Sequence, residues 1–249
     1  MYKICHVIFS TNRLEYLIPT LRSIHNLNFY NCQVDKIFFD DYPLTRNDNL
    51  LYSLIKLYGF NEYYFHKENQ GLSSTWNEFW NLIKDRNYDY VFHQEDDIEF
   101  LEPVLISDLI ELLQHDNQLS QVQLARGAWY YHESDPKKED DDLVYKNFRY
   151  RKGSLIFSPM ASLYHHNITK LNYRDQYDFN PNEGMIGKFL YDNHERVSAN
   201  VKNYYGKKII NHIGEYFVGK RVLPTEPSYD LFAHFDPNQK YHSRDGRPY

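Results

Sequence analysis

Tyr90-Val91-Phe92-His93-Gln94-Glu95-Asp96-Asp97-Ile98-Glu99-Phe100 runs from an apolar, strand-like stretch into three consecutive carboxylates and straight back into apolar residues. Adjacent like charges repel and are costly to bury. A strand that delivers three of them to the end of a sheet makes chemical sense when a cation sits there. Open α/β sheets bind their ligands at the carboxyl ends of their strands. The stretch therefore predicts a divalent-metal site holding something phosphorylated. The plainer alternative is a solvated acidic turn after a core strand.

The residues before this stretch alternate strand and helix. Ile4 to Ser10 reads as a buried strand, and Leu14, Leu17, Ile18, Leu21 and Ile24 recur at helical spacing. Val34 to Phe39 is a second buried strand, ending in Asp40-Asp41. Leu50, Leu54, Ile55 and Leu57 predict a helix stopped by Gly59, and Glu62 to His66 a short strand. After the turn Asn69-Gln70-Gly71, the residues Leu72, Trp76, Phe79, Trp80 and Ile83 mark an amphipathic helix. Tyr88 to His93 is the fourth strand, and Val104 to His115 another helix. Continuous apolar strands separated by helices predict an α/β fold, a mostly parallel sheet covered on both faces.

In such a sheet three polar strand ends share one edge: Ser10-Thr11-Asn12-Arg13 with Glu15, then Asp40-Asp41, then Glu95-Asp96-Asp97. No Gly-x-Gly-x-x-Gly follows the first strand, and the chain has no Gly-x-x-x-x-Gly-Lys-Ser/Thr. A nucleotide would thus be gripped by side chains and a metal rather than by a glycine-rich cradle.

The second half is less regular. Val122 to Ala125, Ser154 to Phe157 and Lys207 to Asn211 read as strands, the last running into His212-Ile213-Gly214. The run Lys137-Lys138-Glu139-Asp140-Asp141-Asp142 is expected to be a solvated loop. The aromatics Trp129, Tyr130 and Tyr131 would either stack on a sugar or pack beneath that loop. With 249 residues one domain is expected: a ligand-binding half over 1–115, a second half over 116–232, and a flexible tail over 233–249. A net charge of −6 argues against a nucleic-acid footprint. No run approaches the length of a membrane span, no apolar leader precedes the first strand, and two cysteines form no disulfide framework. The expectation is a cytoplasmic protein.

The order of these motifs resembles the GT-A fold of nucleotide-sugar-dependent glycosyltransferases. A strand ending in Thr-Asn-Arg is followed by a helix and a strand ending in Asp-Asp; then come Asn69-Gln70-Gly71-Leu72, a helix, and a strand ending in Glu-Asp-Asp. The chain is similar to glycosyltransferase family 2. The acidic triplet, of the DxD type, also resembles that of N-acetylglucosaminyltransferase I-type enzymes. The resemblance covers about residues 1–115. It implies transfer of a hexose or N-acetylhexosamine from a UDP-sugar, UDP-glucose favoured, to a hydroxyl of a glycan or protein. Thr11, Asn12, Arg13 and Glu15 would face the uridine, with Asn69 and Gly71 in the same nucleotide-sugar site. Asp40 or Asp41 would accept a hydrogen bond from the base. Asp97 would bind the metal, Asp96 would reach the ribose or donor sugar, and Glu95 would stand behind them.

Carboxylate ligands suit Mg²⁺ or Mn²⁺, and an added imidazole tilts the choice toward Mn²⁺. The resemblance implies a late histidine on this metal, and His212 is the candidate, ahead of His93, His165 and His166. An inverting transferase also needs a base for the acceptor hydroxyl. The resemblance places it at a helix start after a loop, here Glu183 with Asp178 second, although the chain has Glu-Gly where the family has Glu-Asp. The alternatives are a sugar-1-phosphate nucleotidyltransferase, which wants a glycine-rich first loop, and an inactive carbohydrate-binding module on the same fold.

Overall fold

Tyr2–Ser10 forms β1, and its seven innermost residues are buried. The computed structural model describes residues 1–11, 13–41, 48–124, 142–153, 157–158, 160–171, 173 and 183–213. After β1 come α1 (Leu14–Ser23), β2 (Leu27–Asn28), β3 (Cys32–Asp40), α2 (Asp48–Leu57), β4 (Glu62–Phe65) and α3 (Leu72–Ile83). Then follow β5 (Tyr90–Glu95), β6 (Ile98–Phe100), β7 (Val104–Leu105), α4 (Ile106–His115) and β8 (Leu119–Leu124). The second half adds β9 (Leu143–Tyr145), β10 (Phe148–Gly153), β11 (Ser162–His165), α5 (Glu183–His194), β12 (Val197–Tyr204) and β13 (Ile210–His212).

Nine of these strands form one sheet in the order β4-β3-β1-β5-β11-β8-β12-β10-β9. β4, β3, β1, β5, β8, β12 and β9 run one way, and β11 and β10 run the other. Because β1 is interior to the sheet, its side chains point into apolar layers on both sides. Ile4 and Ile8 pack with Leu17 and Leu21 of α1, Leu51 and Ile55 of α2, and Leu109 and Ile110 of α4. Cys5, Val7 and Phe9 pack with Trp76, Phe79 and Trp80 of α3, a cluster that also takes in Ile186, Phe189 and Leu190 of α5. The two-residue period of the strand thus feeds two helical layers. This is the mostly parallel, doubly covered α/β sheet that the first half of the sequence predicts.

Several boundaries differ from the sequence reading. The fourth strand runs to Glu95, so the first acid of the triplet belongs to it. Val104 and Leu105 form a short strand paired with β2, and the helix starts only at Ile106. β9, β10, β11 and β12 are elements that the sequence reading did not find, whereas α5 starts at Glu183, where the resemblance places a helix start. Of the proposed strand at Ser154 to Phe157, Phe157 is described and lies outside any strand, while 154–156 lie outside the described residues, as do 137–141, 129–131 and the tail. Asp142 corrects the solvated-loop expectation for its own position. Its side chain is 2% exposed and pairs with Arg149 Nε at 2.8 Å, Lys202 Nζ at 3.0 Å and Arg151 Nε.

The chain divides into two compact units, Met1–Asn211 and His212–Tyr249. Of the second unit, His212 and Ile213 are described, His212 as the closing residue of β13. Among the described residues, no helix is long and apolar enough to cross a membrane.

Candidate functional site

Strand register sets the site. Ser10 lies opposite Asp40 and Phe9 opposite Glu95, so the polar ends of β1, β3 and β5 are neighbours on one edge of the sheet. The backbone carries the edge one residue further: Asp41 N–H donates to Ser10 O at 2.9 Å, and His66 N–H to Asp40 O at 3.0 Å.

Glu95 closes β5 and remains partly exposed, whereas the Asp96-Asp97 turn that follows is buried, 1% and 3% exposed. The chain between β1 and the end of α1 holds this turn. Thr11 N–H donates to Asp96 Oδ2 at 3.1 Å. Arg13, 9% exposed, meets Asp96 through Nη2 on Oδ1 and through Nε at 3.4 Å from Oδ2; its Nη2 also lies 3.0 Å from Asp97 Oδ2. Thr20 Oγ1 donates to the Asp96 carbonyl at 2.8 Å. Ser23 Oγ donates to Thr20 O at 2.8 Å and accepts from Phe100 N–H at 3.0 Å. Burial raises the pKa of Asp96 above the usual carboxylate range, and Arg13 opposes that rise. For Arg13, burial disfavours the charge, but Asp96, Asp97 and Glu95 outweigh it and push its pKa up.

The turn feeds β6, which pairs with β13; Leu101 N–H donates to Ile209 O at 2.8 Å next to that pairing. β13 ends at His212, which is 5% exposed. Glu95, Asp97 and His212 each offer one ligand atom, and these atoms all lie within 4.8 Å of one another. Two carboxylates and an imidazole are the donors of a hard-to-borderline divalent ion such as Mn²⁺, so the residues fit the metal that the sequence implies. Glu95, expected behind the other two acids, joins this set, and Asp96, held by Arg13, does not.

The other histidine candidates go elsewhere. His93 is fully buried among Phe9, Trp76 and Phe79, and burial lowers its pKa to about 3. His166 is buried with Nε2 2.8 Å from Ile83 O, and His165 lies against Tyr90.

At the β3 end, Asp41 is 4% exposed and accepts three bonds from its own chain. His66 Nδ1 and Gln70 N–H reach Oδ1, and Gly71 N–H reaches Oδ2, each at 2.7 Å. His66 Nε2 lies 3.0 Å from Glu78 Oε2. The bond to Asp41 leads the causes that raise the His66 pKa, with Glu78 adding to it against burial. Gly71 has φ +80°, which L side chains rarely adopt, and its carbonyl accepts from Thr75 N–H at 3.0 Å to open α3. Asp41 thus ties the Asn69–Gly71 turn to the strand end. Asp40 is fully buried at the end of β3, and Glu15 is exposed in the first turn of α1.

α5 begins at Glu183. Asn12 and Asp178 lie outside the described residues. Three positioning residues escaped the sequence reading: Thr20, Ser23 and His66. The first two left a signal, as buried hydroxyls three apart that interrupt the Leu17-Leu21-Ile24 stripe. His66 left none, because only the fold brings it to Asp41.

No family model matches the chain, and no curated protein matches it in sequence. Solved structures match its fold. S. aureus TarS 1–349 in complex with UDP-GlcNAc is similar over 86% of this chain and 61% of that one, with a TM-score of 0.54 and 14% identity. GalNAc-T7 with UDP, GalNAc and Mn²⁺ is similar over 81% of this chain and 42% of that one, with a TM-score of 0.55 and 14% identity. The chain thus spans less than two thirds of either protein. At such identities the likeness establishes the fold, which is GT-A: a mostly parallel central sheet flanked by helices.

Proposed function

We propose that the chain is a metal-dependent glycosyltransferase that moves a hexose or N-acetylhexosamine from a UDP-sugar to a hydroxyl of a glycan or protein. The observation that carries this reading is the set Glu95, Asp97 and His212, with ligand atoms within 4.8 Å at the end of β5, where a GT-A sheet presents its strand ends. UDP-bound neighbours of the same fold support it, and Mn²⁺ accompanies UDP in GalNAc-T7.

Glu95, Asp97 and His212 would hold Mn²⁺ or Mg²⁺. The bound metal would supply positive charge beside the diphosphate as negative charge builds on it. Thr11 and the turn over Asn69 and Gly71 line the same edge and form the walls for the nucleotide. Glu183, at the start of α5, takes the proton from the acceptor hydroxyl. That oxygen bonds to the anomeric carbon as the carbon–phosphate-oxygen bond breaks, and UDP leaves with the bonding electron pair, inverting the anomeric centre. Burial of Asp96 and Asp97 limits how far water screens these charges.

Thermal unfolding with nucleotide and metal tests the reading. UDP with Mn²⁺ is expected to raise Tm by several degrees at saturating concentration, with GDP doing less and each component alone doing little. No stabilisation with either nucleotide in Mn²⁺ would rule the transferase reading out.

A further inference from the structure

The resemblance puts Arg13 against the uridine, but its guanidinium lies on the acids instead. It meets both oxygens of Asp96, and Nη2 lies 3.0 Å from Asp97 Oδ2. All three residues are more than nine-tenths buried, so little water screens the pairs. Asp97 also belongs to the cluster with Glu95 and His212. With a metal bound, one carboxylate would therefore serve two cations, a fixed internal one and an external one. Arg13 sits between β1 and α1, where Thr11 N–H on Asp96 and Thr20 Oγ1 on the Asp96 carbonyl hold the same turn from either side in sequence. Its position is thus set by the segment that also holds the turn.

A planar guanidinium suits this task. It grips one carboxylate by two nitrogens and leaves an N–H for the next, as a point-like ammonium does not. Three adjacent carboxylates without a counter-ion would repel one another in a site that excludes water. With the arginine in place the turn keeps its shape before any metal arrives. The same positive charge also repels a divalent cation arriving at Asp97.

We infer that Arg13 is the resident counter-ion of the acidic triplet: it preorganises the metal ligands in the empty site and competes with the metal for Asp97, holding metal affinity down. The inference rests on the reading of Glu95, Asp97 and His212 as metal ligands. It makes Arg13 a positioning residue with an effect opposite in sign to that of an ordinary structural one. Removing a merely structural residue loosens the ligands and weakens metal binding, whereas removing a competitor strengthens it.

Direct titration of Mn²⁺ without nucleotide, followed by the loss of the free-ion paramagnetic resonance signal, separates the two. Arg13→Gln is expected to bind Mn²⁺ about tenfold more tightly than the parent chain. Its Tm without metal should be lower, and its gain in Tm on adding Mn²⁺ larger. Arg13→Lys, which keeps a charge but loses the fork, covers the case in which the glutamine variant does not fold; it should bind Mn²⁺ more tightly than the parent by a smaller factor. A folded variant that binds Mn²⁺ no more tightly than the parent overturns the inference and leaves the metal site standing. A parent chain that binds no Mn²⁺, with Asp97→Asn behaving identically, overturns the metal reading and this inference with it.

Discussion

The strands of the first half and those of the second half bury different things. In β1, β3 and β5 the core positions are mostly apolar and the acids gather at the strand ends. Across β11, β8, β12 and β10 most buried positions of one face are polar: Ser162, Gln121, Gln123, Ser198, Asn200 and Arg151, with Tyr164 among them. Register places His93, Ser162, Gln123, Asn200 and Arg151 side by side in one row. The first half resembles a hydrophobic core that presents charge at its rim. The second half carries polarity inward, through hydrogen bonds that only the finished sheet can make.

The largest effect should come from the rim of the first half. Asp97→Ala removes one of three candidate metal ligands and leaves Arg13 with one carboxylate fewer. Sugar transfer and Mn²⁺-dependent UDP binding should each fall by more than about 100-fold, while the circular dichroism spectrum stays that of the parent. Retention of either activity near the parent level would separate the acidic turn from metal binding and reduce the first half to a plain core.

That contrast also explains what was legible in the sequence. Period-2 and period-3.6 patterns of apolar residues were visible wherever the core was apolar, so β1, α1, β3, α2, β4, α3 and β5 could be read nearly to their ends. The acidic triplet stood out because three carboxylates interrupt such a pattern. β12, Val-Ser-Ala-Asn-Val-Lys-Asn-Tyr, offers no apolar run, since Ser198 and Asn200 are buried between small apolar neighbours. β10, Phe-Arg-Tyr-Arg-Lys-Gly, is hidden by arginines, and Arg149 and Arg151 are matched by the buried Asp142. His212 was legible as the end of a strand. The Arg13 clasp and the His66–Asp41 bond were not, because each joins residues far apart in sequence and depends on a register that no local pattern encodes.

Acid should strike the first half. His6 in β1 and His93 in β5 are fully buried, and burial lowers both pKa values from 6.5 to about 3. Between those values the unfolded chain binds protons that the folded chain refuses, so stability falls as pH drops below 6.5. Each histidine contributes about 1.4 kcal/mol per pH unit, so at pH 5 the two together cost about 4 kcal/mol. His165 and His166, also lowered by burial, act in the same direction. His66 acts oppositely. Its pKa is raised, so the stability it adds is full below 6.5 and is lost as pH rises through its folded value. Urea unfolding between pH 7.5 and pH 4.5 should show the acid loss, and His93→Leu should flatten about half of it. An acid limb unchanged by His93→Leu would move the sensitivity out of the first half.

The smallest effects should divide the second half against itself. Gln121 uses its whole amide: Nε2 donates to Ser158 O at 2.6 Å and to Ser162 Oγ at 2.9 Å, and Oε1 accepts from Ser158 N–H and Ser198 Oγ, each at 3.2 Å. Asn200, two positions along the same face, is also buried, yet among the described residues its amide nitrogen and oxygen have no hydrogen-bond partner. If buried polarity stabilises the sheet only through its bonds, the two residues should respond with opposite signs. Gln121→Leu strands the Ser158 N–H and should cost about 2–3 kcal/mol in urea unfolding. Asn200→Leu removes a desolvated amide that gains nothing in return, and should be neutral or stabilise by about 1 kcal/mol. Equal losses at both sites would mean that the polar side chains of this face act as one network, with Asn200 bonded through water. Opposite signs would mark Asn200 as a buried polar side chain that the fold itself does not require.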